Sequence, residues 1–371
     1  MQPKQLRQTL LLIVAALLAI GVVAVYSASA MVSEANYGGS LRFLEHHLLS
    51  IACGAALGIL CLALPYAWLR RSAKWTFVAC LLLLVAVAVF GHEAGGAKRW
   101  FQLGRWSIQP SEFAQLSLVI YLADLLARRS GRLQEFWTGL MPPLLATGLM
   151  AGLVLIQPDL GTAIAMGAVA LLLLSLGKAK PQHLLIMIAL AAVVLGFLVA
   201  GAEYRRRRIF AFLDPWQDPQ GIGYQIIQSY LALAGGGLFG RGIGASLQKL
   251  FYLPSAHTDF VFAILGEEMG FLGTTVVLVL FGLFLACGFR IAIAARDLFS
   301  KYLVCGLVGM IGLEGMVNIA VVTGVLPTKG LPLPFISYGG SSMVMNLVAC
   351  ALILQASRQG ERGLAESALG R

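Results

Sequence analysis

Charge is what this chain has least of. Asp, Glu, Lys and Arg make up 12% of its 371 residues, while apolar side chains make up 59%. A water-soluble domain could not hide that much apolar surface, so lipid must be the solvent. Acidic groups are the scarcer kind, 17 against 27 Lys and Arg, for a net charge of +10. In a membrane chain such an excess reports topology and does not argue for nucleic-acid binding. The six cysteines, Cys53, Cys61, Cys80, Cys287, Cys305 and Cys350, all fall inside apolar runs without metal-ligand spacing. That excludes a disulfide framework and leaves small hydrophobic side chains in helices. No internal repeat and no soluble domain is evident, so 1–371 reads as a single membrane domain. The missing repeat also weighs against a transporter built from duplicated halves.

What the chain does have is apolar runs, with a mean hydropathy of +0.84. They fall at 8–30, 45–64, 73–91, 111–127, 139–157, 160–176, 182–200, 260–288, 302–322 and 340–357. Over such lengths only helices satisfy their backbone groups in lipid, so the expected fold is an all-α polytopic membrane protein with ten spans. Lys4 and Arg7 before the first run, and Ala28-Ser29-Ala30 after it, imitate a signal peptide. The run Leu10 to Tyr26 is longer than a usual signal core, so a retained first helix is expected. Most Lys and Arg fall on one side of the spans, which puts both termini in the cytoplasm and a long outer loop at 201–259.

The outer face then holds nearly all the irregular sequence: 97–115, Gln157-Pro158-Asp159, 204–259 and 326–342. Asp259 stands at the mouth of the eighth run, which would be about 43 Å long against about 30 Å of hydrocarbon. Asp259 is either a helix cap, with Thr258, or a reactive acid. Glu267 lies eight residues on, about 80° around the helix, and could share a cavity wall with Asp259, while Glu268 points elsewhere. Pairing with Arg or Lys is the plainer reading of both glutamates.

Arg205 to Arg208 form a run of cations, either an anchor on anionic headgroups or a site for a phosphorylated lipid. Lys98, Arg99, Arg105, Arg241, Lys249 and Lys329 add cations to the same face, as a diphosphate leaving group would require. Glu112 follows Pro110 and Ser111 at a helix start. Gln157-Pro158-Asp159 is a turn first and a site second. The prolines, glycines and hydroxyls of 326–342, Ser337 and Ser341 among them, argue for a cavity-lining loop. Glu314 and Asn318 share one face of the ninth span, and Lys329 would suit Glu314 as partner.

Taken together, QPSEF at 109–113, QPDLGTA at 157–163, FLDPWQDPQGIGYQIIQS at 212–229, YLPSAHTDFVFAILGEEMG at 252–270 and NIAVVTGVLPTKGLPLPFISYGGSS at 318–342 resemble the SEDS family of cell-wall polymerases. The likeness runs from the first span to the tenth and is nearer to the FtsW and SpoVE branch than to RodA. It implies a peptidoglycan glycosyltransferase of the bacterial inner membrane, polymerising lipid II on the outer face for division or elongation. It implies Asp259 as catalytic general base and Glu112 and Lys329 as substrate-binding residues; His257, Glu267, Gln157 and Asp159 are expected to support the site. Undecaprenyl-diphosphate-linked glycan would be the second substrate, and Mg²⁺ or Mn²⁺ a companion of the diphosphate. A class B penicillin-binding protein and other division or elongation membrane proteins would be partners. Gln115, where the family carries lysine, and Glu314, where it carries glutamine, depart from the pattern. The rival readings are a lipid II flippase, which Glu314 would suit, and a non-catalytic scaffold of the division complex.

Overall fold

The computed structural model describes residues 3–94, 97–104 and 106–369. Its helices are α1 (Pro3–Tyr37), α2 (Arg42–Ala63), α3 (Tyr66–Phe90), α4 (Pro110–Arg128), α5 (Met141–Ile156), α6 (Leu160–Leu176), α7 (Pro181–Ala200), α8 (Glu203–Leu213), α9 (Tyr224–Gly236), α10 (Val261–Ala294), α11 (Leu298–Val322) and α12 (Gly340–Leu369). Ten of them fall on the ten apolar runs. By length and composition, eight helical segments among the described residues can cross a membrane. The two helices outside the apolar runs, α8 and α9, lie inside 201–259, so the expected long loop is partly helical.

The helix starts carry ordinary capping chemistry, at Pro110 as the sequence suggests. Pro110 and Pro181 open α4 and α7, where a missing N–H costs nothing. Asp159 caps α6 by accepting from the Thr162 N–H at 3.1 Å, and Asp297 caps α11 through the Ser300 N–H at 2.9 Å. One small sheet was not expected of an all-α chain: β1 (His92–Ala94), β2 (Ala97–Leu103) and β3 (Trp106–Ile108), antiparallel in that order. Its strands are too short and too charged to announce themselves by hydropathy. Its pleat matters, because successive side chains face opposite ways.

α11 runs through the packed interior, and four of its glycines let neighbours approach. A Cβ at Gly306 or Gly309 would strike Leu172, Leu173 or Val119 of α6 and α4, and one at Gly312 or Gly315 would strike Leu285 or Phe281 of α10. A spacing of three residues drifts about 60° per step, so the stripe passes from one neighbour to the other. At the other extreme, α7 buries none of its residues.

α10 is not the straight helix the sequence suggests. It breaks at Gly270, whose φ of 67° and ψ of −166° lie outside the helical region. The freed backbone groups pair with residues 237–242. Phe271 N–H donates to Gly237 O at 2.9 Å, Leu272 N–H to Leu238 O at 3.1 Å, Arg241 N–H to Glu267 O at 3.0 Å, and Gly242 N–H to Glu268 O at 3.0 Å. A break at membrane depth is tolerated when its groups are satisfied in this way. Gly240 is essential to that contact, since its φ is +81° and a Cβ there would lie 2.1 Å from Glu268 O.

Gly240→Ala is therefore expected to destabilise the purified protein by about 2 kcal/mol or more, lowering its thermal unfolding midpoint in detergent. Gly148→Ala, in α5 with nothing within 4 Å of the new Cβ, should leave the midpoint level or raise it. Equal midpoints for the two variants would contradict this account of the break.

Candidate functional site

Beside the mouth of α10 lies a cavity of about 850 Å³. Asp259, the last polar residue before α10, lines it together with Lys329, Asp159, Arg99, Arg205 and Arg208. Leu195 and Val199 of α7 give it an apolar flank, and Tyr204, Ser255 and Thr328 add polar atoms. One end thus suits a charged headgroup and the other an acyl chain.

Asp259 is held by its main chain. Asn318, buried on α11, donates from its amide to Asp259 O at 2.8 Å and to Leu331 O at 2.7 Å. This clip ties the irregular segment 323–339 to the α10 mouth. Ser337 adds a second tie, donating to Thr258 O at 2.5 Å, and Tyr338 N–H a third, to His257 O at 3.0 Å. Gly330 lies so close that a Cβ there would come within 2.7 Å of Asp259 Oδ2. The cap reading of Asp259 does not hold: the N-cap residue of α10 is Phe260, and no side chain caps it. Burial pushes the Asp259 carboxyl up to about 6, with the Arg208 guanidinium opposing the rise. Burial pushes the Lys329 ammonium down to about 8, and the Asp159 charge opposes that. Gly161, in the first turn of α6, leaves room for the Lys329 stem; a Cβ there would sit 1.8 Å from Lys329 Cε.

The other cations divide by geometry. In β2 the pleat turns Arg99 toward the cavity and Lys98 away, opposite Glu93 and exposed to solvent. Lys98 is thus not a cavity residue. Arg99 spends its guanidinium on Gln157 O at 2.7 Å and Pro158 O at 2.6 Å, which braces the α5–α6 turn. Gln157 is buried and donates to Leu84 O at 3.1 Å, so it anchors that turn to α3. Arg205 donates to Leu198 O at 2.9 Å and to the Tyr204 hydroxyl at 2.9 Å, and Arg207 pairs with Glu203. Arg208 rests 6.0 Å over the Tyr204 ring and makes no ion pair among the described residues. Arg105 lies outside the described residues.

Several expected site residues stand elsewhere. Glu267 does not share a wall with Asp259; it accepts from Ser246 Oγ at 2.5 Å, from the Leu247 and Gln248 N–H groups, and pairs with Arg241 at 3.2 Å. Glu268 takes Lys249 at 2.9 Å and Ser27 Oγ at 2.6 Å. These pairs remove Arg241 and Lys249 from the free cations. The break at Gly270 and the segment folded against it decide this, and helical periodicity could not show it. His257 packs on Phe43 and Tyr338, with ring centroids 4.7 and 5.7 Å away, outside the cavity lining. Ser337 and Ser341 are buried and likewise outside it; Ser341 accepts from Gln109 N–H at 3.3 Å. Glu112 sits in the first turn of α4, outside the cavity lining, and Glu314 lies near Gln115, whose buried amide nitrogen has no hydrogen-bond partner among the described residues, and makes no ion pair with Lys329. Lys329 is beside Asp159, whose carboxylate already serves Thr162 and Gln109. Asn318 is the positioning residue that the sequence left without a role; its one signal was an amide inside an apolar span.

The chain matches the family model described as cell cycle protein, FtsW, RodA and SpoVE, over residues 8–362. It is 41% identical over 350 residues to a probable peptidoglycan glycosyltransferase FtsW of Geobacter metallireducens, covering 94% of this chain and 93% of that one. It is 39% identical over 351 residues to stage V sporulation protein E of Bacillus subtilis, covering 94% and 96%. A solved structure concerned with polymerization and crosslinking by a peptidoglycan synthase complex matches with a TM-score of 0.78 and 34% identity, over 95% of this chain and 97% of that one. The rod shape determining protein RodA of Thermus thermophilus matches with a TM-score of 0.71 and 32% identity, over 94% and 96%.

Asn318→Leu should leave the Asp259 and Leu331 carbonyls buried without their shared donor, at a cost of about 2 kcal/mol. A lower thermal midpoint with unchanged helix content is the expected result. An unchanged midpoint would remove Asn318 as the clip.

Proposed function

The chain belongs to the FtsW, RodA and SpoVE family, and from that membership we infer how its cavity works. The protein is a peptidoglycan glycosyltransferase, the activity its FtsW relatives are named for, and a multi-pass membrane protein by its apolar helices. We propose that it polymerises lipid II on the outer face of the bacterial inner membrane. The observation that carries this is Asp259: an acid without a side-chain partner among the described residues, sharing one cavity with Lys329, Arg205 and Arg208.

In the proposed reaction, the Asp259 carboxylate takes the proton of the acceptor GlcNAc 4-hydroxyl. That oxygen forms a bond to the anomeric carbon of the strand's terminal MurNAc. The bond from that carbon to the diphosphate breaks, undecaprenyl diphosphate leaves with the electron pair, and the configuration inverts. A pKa near 6 makes Asp259 a better base than an ordinary carboxylate while leaving it ionised at neutral pH. Arg205, Arg208 and Lys329 supply positive charge where the diphosphate gains negative charge. Leu195 and Val199 face the lipid side of the same cavity and suit the isoprenoid chain. Among the described residues, no group of three or more His, Cys, Asp or Glu is placed to hold a metal ion. Mg²⁺ or Mn²⁺ is proposed only as a companion of the diphosphate, whose oxygens suit it. A class B penicillin-binding protein is the proposed partner, since one structural neighbour belongs to a synthase complex that couples polymerization with crosslinking.

Asp259→Asn should lower polymerisation of lipid II by the purified protein roughly a hundred- to ten-thousand-fold while leaving the thermal midpoint near that of the parent. Full activity in that variant would remove Asp259 from the chemistry.

The pH profile of kcat/KM should be a bell. The base must be deprotonated, so the rate rises through about pH 6, and Lys329 must be protonated, so it falls above about pH 8. In Arg208→Gln the acid limb should move to higher pH, because the charge that holds the Asp259 carboxyl down is gone. An unmoved limb would show that a different group sets it.

A further inference from the structure

Asp259 has a second neighbourhood, opposite in character to the cationic cavity. Two residues back along the chain, within about 7 Å at Cα, His257 enters an aromatic cluster. Phe43 lies 4.7 Å from His257 and 5.3 Å from Tyr338, ring centroid to centroid, and Tyr37 lies 5.9 Å from Phe43. Arg42 covers the Tyr37 ring at 3.9 Å. One helical turn along α2, His46 meets Trp106 of β3 at 6.1 Å. Tyr37 and Arg42 are exposed, and Phe43, His46, Trp106, His257 and Tyr338 are half-buried, so the cluster has an open face.

The cluster is not merely packing. The Tyr338 hydroxyl and the His257 and His46 ring nitrogens have no protein hydrogen-bond partner among the described residues. Beneath them His47 is 1% exposed, 6.4 Å from the Tyr338 ring, with both ring nitrogens unpartnered. Burial lowers His257 from its ordinary value, so its imidazole stays neutral and can both donate and accept. Flat rings with free polar edges offer what a pyranose needs: a surface for its C–H face and partners for its hydroxyls. The segment 329–338 links the two regions, with Lys329 in the cavity at one end and Tyr338 in the cluster at the other.

We propose that this cluster is the subsite for the acceptor's sugar rings. The proposal rests on the glycosyltransferase reading and adds an order to its two substrates. Inversion requires the nucleophile and the leaving diphosphate on opposite sides of the anomeric carbon. With the diphosphate among Arg205, Arg208 and Lys329, the acceptor sugar comes from the other side of the Asp259 segment, where the rings are. Arg42 at the rim would face the carboxylates of the acceptor's stem peptide.

The test uses the full chain in nanodiscs and a soluble probe, the GlcNAc–MurNAc-pentapeptide without lipid or diphosphate. Saturation-transfer NMR reads its contact with the protein, and polymerisation of lipid II is followed in parallel. Tyr338→Leu and the exposed-site variant Tyr37→Ala should each lose at least fivefold in transfer and raise KM for lipid II by at least fivefold. Their kcat should stay within twofold of the parent, and Tyr338→Phe, which keeps the ring, should lie between parent and Tyr338→Leu. Arg208→Gln should keep the transfer signal while losing kcat. Unchanged transfer in Tyr338→Leu and Tyr37→Ala overturns the subsite, as does a fall in kcat at constant KM. So does unchanged transfer with lost binding to the transpeptidase partner, which would make the cluster a protein interface. A parent protein that binds the probe through these rings but forms no polymer defeats the glycosyltransferase reading alone. A parent that polymerises while the variants keep full transfer defeats the subsite alone.

Discussion

The structure depends on one constraint: a backbone group at membrane depth must find a partner inside the protein. α10 breaks at Gly270 and would leave such groups bare, but residues 237–242 lie alongside and pair with them. That pairing pins the segment before α10, closes the distance to Glu267 and Glu268, and leaves Asp259 at the end of a short first segment. The acid at the mouth is fixed by hydrogen bonds that belong to its neighbours.

The same constraint sorts the charges. Glu267 and Glu268 are buried and each has a cation and hydroxyl or amide donors. Asp159 has Thr162, and Asp124 has Arg70 and Arg128. Asp259 is held through its main-chain carbonyl, with its carboxylate left to the cavity. Partnered acids make weaker bases, because their partners stabilise the ionised form. An acid whose backbone is clipped while its carboxylate faces open space keeps both its position and its reactivity. Asn318 and Ser337 do for Asp259 what an ion pair would have done at the expense of chemistry.

Much of the architecture was legible in advance. Ten apolar runs became ten helices, and Pro110, Asp159 and Pro181 stand where helix-start chemistry puts them. The fold class and the family were legible for the same reason: in lipid, hydropathy and turn residues act locally. The site was legible only in part. Asp259, Lys329, Arg205 and Arg208 share the cavity, whereas Ser337, Ser341, Glu112 and Lys98 do not line it. Lys98 and Arg99 are adjacent and chemically alike, and only the pleat of a short strand separates their roles.

By itself, the sequence determined the solvent, the helices, their likeness to a family, and which few residues were too polar to be packing. Those follow from composition and short-range pattern. The tertiary structure alone decided which acid stays unpartnered, which cations stay free, and what stands on each side of Asp259. The partners are Asn318, Arg208 and Tyr338, all more than 50 positions from Asp259 in the chain and beside it in space. Whether a buried charge is quenched or reactive depends on such neighbours, and no local pattern encodes them.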